Sequence, residues 1–147
     1  MKIALIPNMT RQNTPNVTKQ LLKELQGFNA TVFLDEEFKG FFEEADYINF
    51  CNIEEGIEKC EIVVTVGGDG TFIKSAKASA VKNKPLLCVN AGKLAYLAGL
   101  ENSELPLLKK VVNGEYETEK RMMLTATIFD SAGNELYKSN CLNDAVV

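Results

Sequence analysis

The run Ile62-Val63-Val64-Thr65-Val66-Gly67-Gly68-Asp69-Gly70-Thr71 constrains this chain more than any other stretch. Its β-branched residues favour a buried strand. The strand ends in glycines that surround one carboxylate, and a helix-like pattern follows at once, with Phe72, Ile73, Ala76 and Ala80 as an apolar stripe. Glycine lets the backbone turn sharply and lets another molecule come close, because no Cβ stands in the way. Exposed N–H groups at the start of the helix then favour a phosphate. Asp69 does not suit a pure anion cradle, since its charge repels phosphate. It reads as a base, a metal ligand or a hydroxyl acceptor beside one, and the combination points to phosphoryl transfer.

Strand and helix signals alternate on both sides of this turn. Lys2 to Pro7 reads as a first buried strand, and Thr14-Pro15 as a helix cap with proline in the first turn. Val17, Leu21, Leu22 and Leu25 follow at helical spacing up to Gly27, and Thr31 to Leu34 is a second strand. The acidic, aromatic segment 35–58 fits helix pieces around a variable loop. Glu61 to Val66 is the third strand and Leu86 to Asn90 a fourth, ending in a second glycine turn, Asn90-Ala91-Gly92. Ser103 is placed to cap a short helix carrying Leu105, Leu108, Val111 and Val112, closed by Asn113-Gly114. Such alternation implies an α/β fold with a Rossmann-like parallel sheet and flanking helices. Ligands then collect at the carboxyl ends of the strands, where both glycine turns fall.

The character changes after Gly114. Glu115 to Phe129 is β-prone throughout, Asp130-Ser131-Ala132-Gly133-Asn134 is a turn signal, and Glu135 to Val147 resumes as strand. The expected organisation is an α/β domain over 1–114 and the first strands of an antiparallel, β-rich domain over 115–147. So few strands would leave edges and an apolar face uncovered, which suggests that the sequence is the first part of a longer protein.

Composition narrows the chemistry. The net charge of −4 argues against a general nucleic-acid binder, while 46% hydrophobic and 24% charged residues are ordinary for a globular domain. With no histidine and no Cys-x-x-Cys pair among its four cysteines, the chain does not suit a zinc site or a His-activated nucleophile. No stretch has the length of a membrane span or a signal peptide, so the cysteines read as free thiols in a reducing cytoplasm. The glycine run is neither a Walker A loop, lacking Gly-Lys-Ser/Thr, nor a Gly-x-Gly-x-x-Gly fingerprint, since Ile73 stands at its last position. Taken alone, Gly-Gly-Asp-Gly-Thr also reads as a tight turn.

Three further motifs stand downstream. They are Val89-Asn90-Ala91-Gly92-Lys93-Leu94-Ala95-Tyr96-Leu97, Glu119-Lys120-Arg121-Met122-Met123-Leu124 and Leu142-Asn143-Asp144-Ala145-Val146-Val147. With Gly67-Gly68-Asp69-Gly70-Thr71, and Lys74 five residues after the aspartate, their order resembles the N-terminal portion of the NAD kinases. The second resembles that family's Asn-x-Gly-x-Leu-Gly-Phe-Leu loop, with Ala95 and Tyr96 replacing glycine and phenylalanine. The last resembles its Leu-Asn-Glu/Asp motif, with Asp144 as the shorter acid. The family's later Gly-Ser-Thr-Ala-Tyr-like segment is not in this sequence.

The resemblance implies phosphoryl transfer from ATP or another donor, polyphosphate included, to the adenosine ribose 2′-hydroxyl of NAD, giving NADP. It implies that Asp69 accepts the hydroxyl proton, and that Gly67, Gly68, Gly70 and Thr71 surround phosphate. Lys74 reads as a phosphate neutraliser or a solvated helix lysine, and Tyr96 as a base-stacking ring or a core residue. Asn90 and Gly92 shape the second loop. Asn143 and Asp144 look like ligands for ribose hydroxyls or the NAD carboxamide, and Arg121 reads as structural. It further implies a divalent cation such as Mg²⁺, no dedicated protein metal ligands, small-molecule nucleotides as the partners, and a homo-oligomer at full length. The 147 residues alone are expected to be weakly active or inactive. Rival readings are the diacylglycerol and sphingosine type of lipid kinase and the phosphofructokinases, which share related glycine cores, and a catalytically silent nucleotide-binding module.

Overall fold

The computed structural model describes residues 1–142. Among them the chain forms two compact units, Met1–Glu117 and one beginning at Thr118. In the first, strands β1 (Lys2–Pro7), β2 (Thr31–Asp35), β3 (Ile48–Cys51), β4 (Ile62–Gly67) and β5 (Leu86–Asn90) build one sheet in the order β3-β2-β1-β4-β5. Every pairing is parallel. The order reverses between β1 and β4, so a crevice opens beyond their carboxyl ends. This is the α/β, Rossmann-like parallel sheet that the sequence predicts.

Both faces of the sheet are covered, because alternate side chains point to opposite faces. Ile3, Leu5, Val64 and Val66 face helix α1 (Thr14–Gln26) and the helix α4 (Leu108–Val112), while Ala4, Val63 and Phe33 meet Ile57 of helix α2 (Ile53–Lys59). Helix α3 (Asp69–Val81) packs against β4 and β5. Gly56 lets α2 lie close on β2, since a Cβ there would come within 2.9 Å of the Phe33 Cβ.

Several local expectations are corrected. Segment 35–58 contains a sheet strand, β3, as well as helix α2. Its pattern hides this because an edge strand needs only partial burial, and Ile48, Phe50 and Cys51 are half-buried. The cap of α1 is Asn13, while Thr14 lies buried in the first turn. Gly27 ends the helix with ordinary φ of −72°, and the left-handed residue is Asn29 at φ 55°. The buried face of α3 runs through Ser75, Ala76 and Ser79 and excludes Ala80, because Ser79 returns its hydroxyl to the Ser75 carbonyl at 3.0 Å and can be buried. Glu101, not Ser103, precedes the turn Asn102–Leu107, which is a 3₁₀ helix interrupted by Pro106, with α4 following.

The second unit contains β6 (Leu124–Phe129) and β7 (Glu135–Cys141), an antiparallel pair with a register irregularity at Ile128/Phe129. Residues 115–123, expected as strand, have no regular structure, and the described pairing of β6 with β7 begins at Leu124. The connecting turn is tied by Asp130, whose Oδ1 accepts from the Ala132 and Asn134 N–H groups, with Gly133 at φ 86°.

Candidate active site at the carboxyl ends of the central strands

The turn after β4 begins at Gly67, which is buried and must be glycine for packing reasons. A Cβ there would stand 2.4 Å from Thr71 Oγ1 and 2.8 Å from Thr71 Cβ. Thr71 is itself fixed from across the crevice, since Asn8 Nδ2 at the end of β1 donates to its hydroxyl at 3.0 Å. Gly68 and Gly70 are different. A Cβ on either meets nothing within 4 Å, and Gly68 has φ of −129°, which any residue adopts. Neither packing nor backbone conformation calls for glycine at Gly68. Open space in front of the backbone is what glycine preserves there.

Asp69 is the first residue of α3. Its carboxylate accepts two backbone hydrogen bonds from the loop after β5, from Leu97 N–H at 2.9 Å and Tyr96 N–H at 3.2 Å. Each oxygen keeps a further lone pair for another donor. The N–H groups of the first turn of α3 have no intrahelical acceptor and carry the positive end of the helix dipole. An acid braced by amides, next to bare glycine backbone and a helix N-terminus, can take a proton from a hydroxyl while phosphate lies on the N–H groups.

The turn after β5 is organised by Asn90, which is 1% exposed. Its Oδ1 accepts from Gly92 N–H at 2.8 Å, and its Nδ2 donates to both carboxylate oxygens of Glu101 at 3.2 and 2.9 Å. Ala91 N–H donates to the Gly67 carbonyl at 2.9 Å, which joins the two turns directly. Beneath them Cys88 is buried. Burial pushes its thiol up from the usual 9.0, a hydrogen bond with Thr65 opposes this, and the Asp69 and Glu101 charges add to the rise.

The structure thus gathers Gly67, Gly68, Asp69, Gly70, Thr71, Asn90 and Gly92 at neighbouring strand ends. Tyr96 is not a core residue, being 83% exposed on the same loop, and Lys74 is exposed on α3. Asn143 and Asp144 lie outside the described residues. Asn8 and Glu101 escape the sequence reading. Nothing local marks either one, because Asn8 meets Thr71 through sheet pairing and Glu101 meets Asn90 only where the loop returns to β5. Among the described residues no three Cys, Asp or Glu side chains gather to hold a metal ion, and no helix is long and apolar enough to cross a membrane. All four cysteines are free thiols.

The model of the ATP-NAD kinase N-terminal domain matches residues 3–116. Similar proteins include the NAD kinase of Acetivibrio thermocellus, 32% identical over 149 residues that take in 100% of this chain and 50% of that protein. The NAD kinase of Caldanaerobacter subterraneus is 33% identical over 147 residues, covering 99% of this chain and 51% of that protein. The chain spans about half the length of the curated relatives it matches. Among solved structures, a yeast NADH kinase complexed with NADH superposes with a TM-score of 0.79 at 17% identity, over 96% of this chain and 46% of that one. That likeness concerns the fold, while the matched domain decides the family: the chain belongs to the ATP-NAD kinase N-terminal domain family.

Proposed function

We propose that the full-length protein is an NAD kinase, which transfers the terminal phosphoryl group of ATP, or of another phosphoryl donor, to the adenosine ribose 2′-hydroxyl of NAD. The observation that carries this reading is the placing of Asp69. Its carboxylate is held by the Tyr96 and Leu97 amides beside two glycines whose missing Cβ atoms face open space. In the proposed reaction Asp69 orients the hydroxyl and accepts its proton. The freed oxygen attacks the terminal phosphorus in line, the bond to the leaving oxygen breaks, and ADP departs when ATP is the donor. The Gly68 and Gly70 backbone and the start of α3 receive phosphate oxygens, Thr71 shapes the turn, and Lys74 offsets phosphate charge. Tyr96 offers an exposed ring for stacking on a base.

A divalent cation such as Mg²⁺ would offset triphosphate charge. It is expected to arrive on the donor's phosphates. Asn143 and Asp144 are proposed as ligands for the ribose hydroxyls or the carboxamide of NAD. The residues from Thr118 onward are read as the start of a β-rich domain, with homo-oligomer formation at full length. Free thiols throughout support a reducing, cytoplasmic setting.

The test is to incubate the full-length protein and Mg·ATP with NAD, a diacylglycerol or sphingosine acceptor, or fructose 6-phosphate, and to follow phosphate transfer. NADP is the expected product. Transfer to the lipid or the sugar phosphate alone would move the protein to another kinase class, and no transfer at all would favour a silent binding module. The 147 residues alone are expected to make little or no NADP, and robust production by them would overturn the expectation that these residues hold only part of the site.

A further inference from the structure

We propose that Glu101 is a positioning residue of this site, acting through Asn90 on the loop that grips Asp69. Gly92 N–H can only donate and a carboxylate can only accept, so these two neighbours admit a single orientation of the Asn90 side chain. Oδ1 must face Gly92 and Nδ2 must face Glu101. Without the carboxylate, the 1% exposed amide has one end satisfied and one end bare, which is costly and permits rotation away from Gly92.

Glu101 is itself exposed, but its backbone is tied to a turn that the core holds. Its N–H donates to Glu104 Oε2 at 2.9 Å at the start of the 3₁₀ turn, and that turn is seated by buried Leu105 and, just beyond it, Leu108. The far end of the loop is tied to β5 as well. Gly99 N–H donates to the Cys88 carbonyl at 2.9 Å, and Asn90 N–H to the Leu100 carbonyl at 2.8 Å. The segment between Gly92 and Ala98 therefore leaves and returns at fixed points. Midway along it Tyr96 and Leu97 present their N–H groups to Asp69. Glu101 fixes the departure point through Asn90, while Asp69 fixes the middle independently. Loss of Glu101 should thus disturb where the loop meets ligand more than it disturbs the acid itself.

The kinetic part of this inference rests on the NAD kinase reading, and the structural part does not. In the full-length protein, Glu101→Ala is expected to speed amide exchange over residues 91–99 by about tenfold, as loss of the side-chain acceptor of a buried amide implies. It should raise KM for NAD by about tenfold while kcat stays within about threefold. Glu101→Gln keeps one acceptor for Asn90 Nδ2 and should recover most of both effects. Unchanged exchange and unchanged KM in Glu101→Ala would overturn the proposal, as would Glu101→Gln being as damaging as alanine. If the wild type does not phosphorylate NAD, the kinase reading fails, and the exchange comparison still decides the role of Glu101.

Discussion

At the end of β4 the chain turns through Gly67, Gly68 and Gly70 with open space in front of two of them. One strand over, the turn after β5 fills its own space with hydrogen bonds among Asn90, Gly92 and Glu101. The first turn keeps backbone accessible, and the second spends its polar groups on itself. They meet where Ala91 N–H reaches the Gly67 carbonyl and where Asp69 accepts from Tyr96 and Leu97. The lesson is that a glycine-rich turn can stay open because a neighbouring braced loop supplies the rigidity it lacks.

The strongest way to break this contrast is Asp69→Asn in the full-length protein. NADP formation should fall by about 10²–10⁴-fold, the usual worth of a positioned proton acceptor, while thermal unfolding shows the fold intact. Near-normal turnover would remove Asp69 from the chemistry. Next comes the loop-bracing test of Glu101 described above.

A pair of alanine substitutions then separates space kept for packing from space kept for a ligand. Gly67→Ala drives a Cβ into Thr71 and should cost about 1–3 kcal/mol of stability in urea unfolding. Gly68→Ala should change stability by less than about 0.5 kcal/mol and still weaken nucleotide binding, read by calorimetric titration. A stability loss at Gly68 as large as at Gly67 would erase the distinction.

The smallest effect concerns two buried thiols, Cys88 beneath the turns and Cys60 at the end of α2. Burial pushes Cys60 and Cys88 up from the usual 9.0, so the folded chain keeps these protons after the unfolded chain has lost them. Their contribution to stability is full below pH 9.0 and declines as pH rises toward the folded-state values. Unfolding midpoints measured from neutral pH upward should show that decline, and Cys88→Ser should flatten it.

Much of the first unit is legible from pattern. The runs that became β1, β2, β4 and β5 are continuous and apolar because both faces of a parallel sheet are buried. Strand β3 was hidden because an edge position leaves Asn49 exposed and its neighbours half-buried. Strand propensity across 115–123 did not become strand: a ladder needs a partner, and among the described residues none pairs with this stretch. In the site, the glycines and Asp69 stand out because special backbone demands special residues. Asn8 and Glu101 do not, since their importance lies in what sits 63 and 11 residues away.

The bond from Asn8 to Thr71 has a consequence for assembly. It joins the tip of the first strand to the first turn of α3, beyond a pairing in which Pro7 stands opposite Val66. A slip of one residue would carry Asn8 roughly 3.3 Å along and turn its amide to the other face of the sheet. A mispaired chain could therefore bury as much hydrocarbon and still lack this contact. The hydroxyl of Thr71 thus serves as a register gauge, and a molecule that has paired its strands wrongly has no assembled crevice to offer.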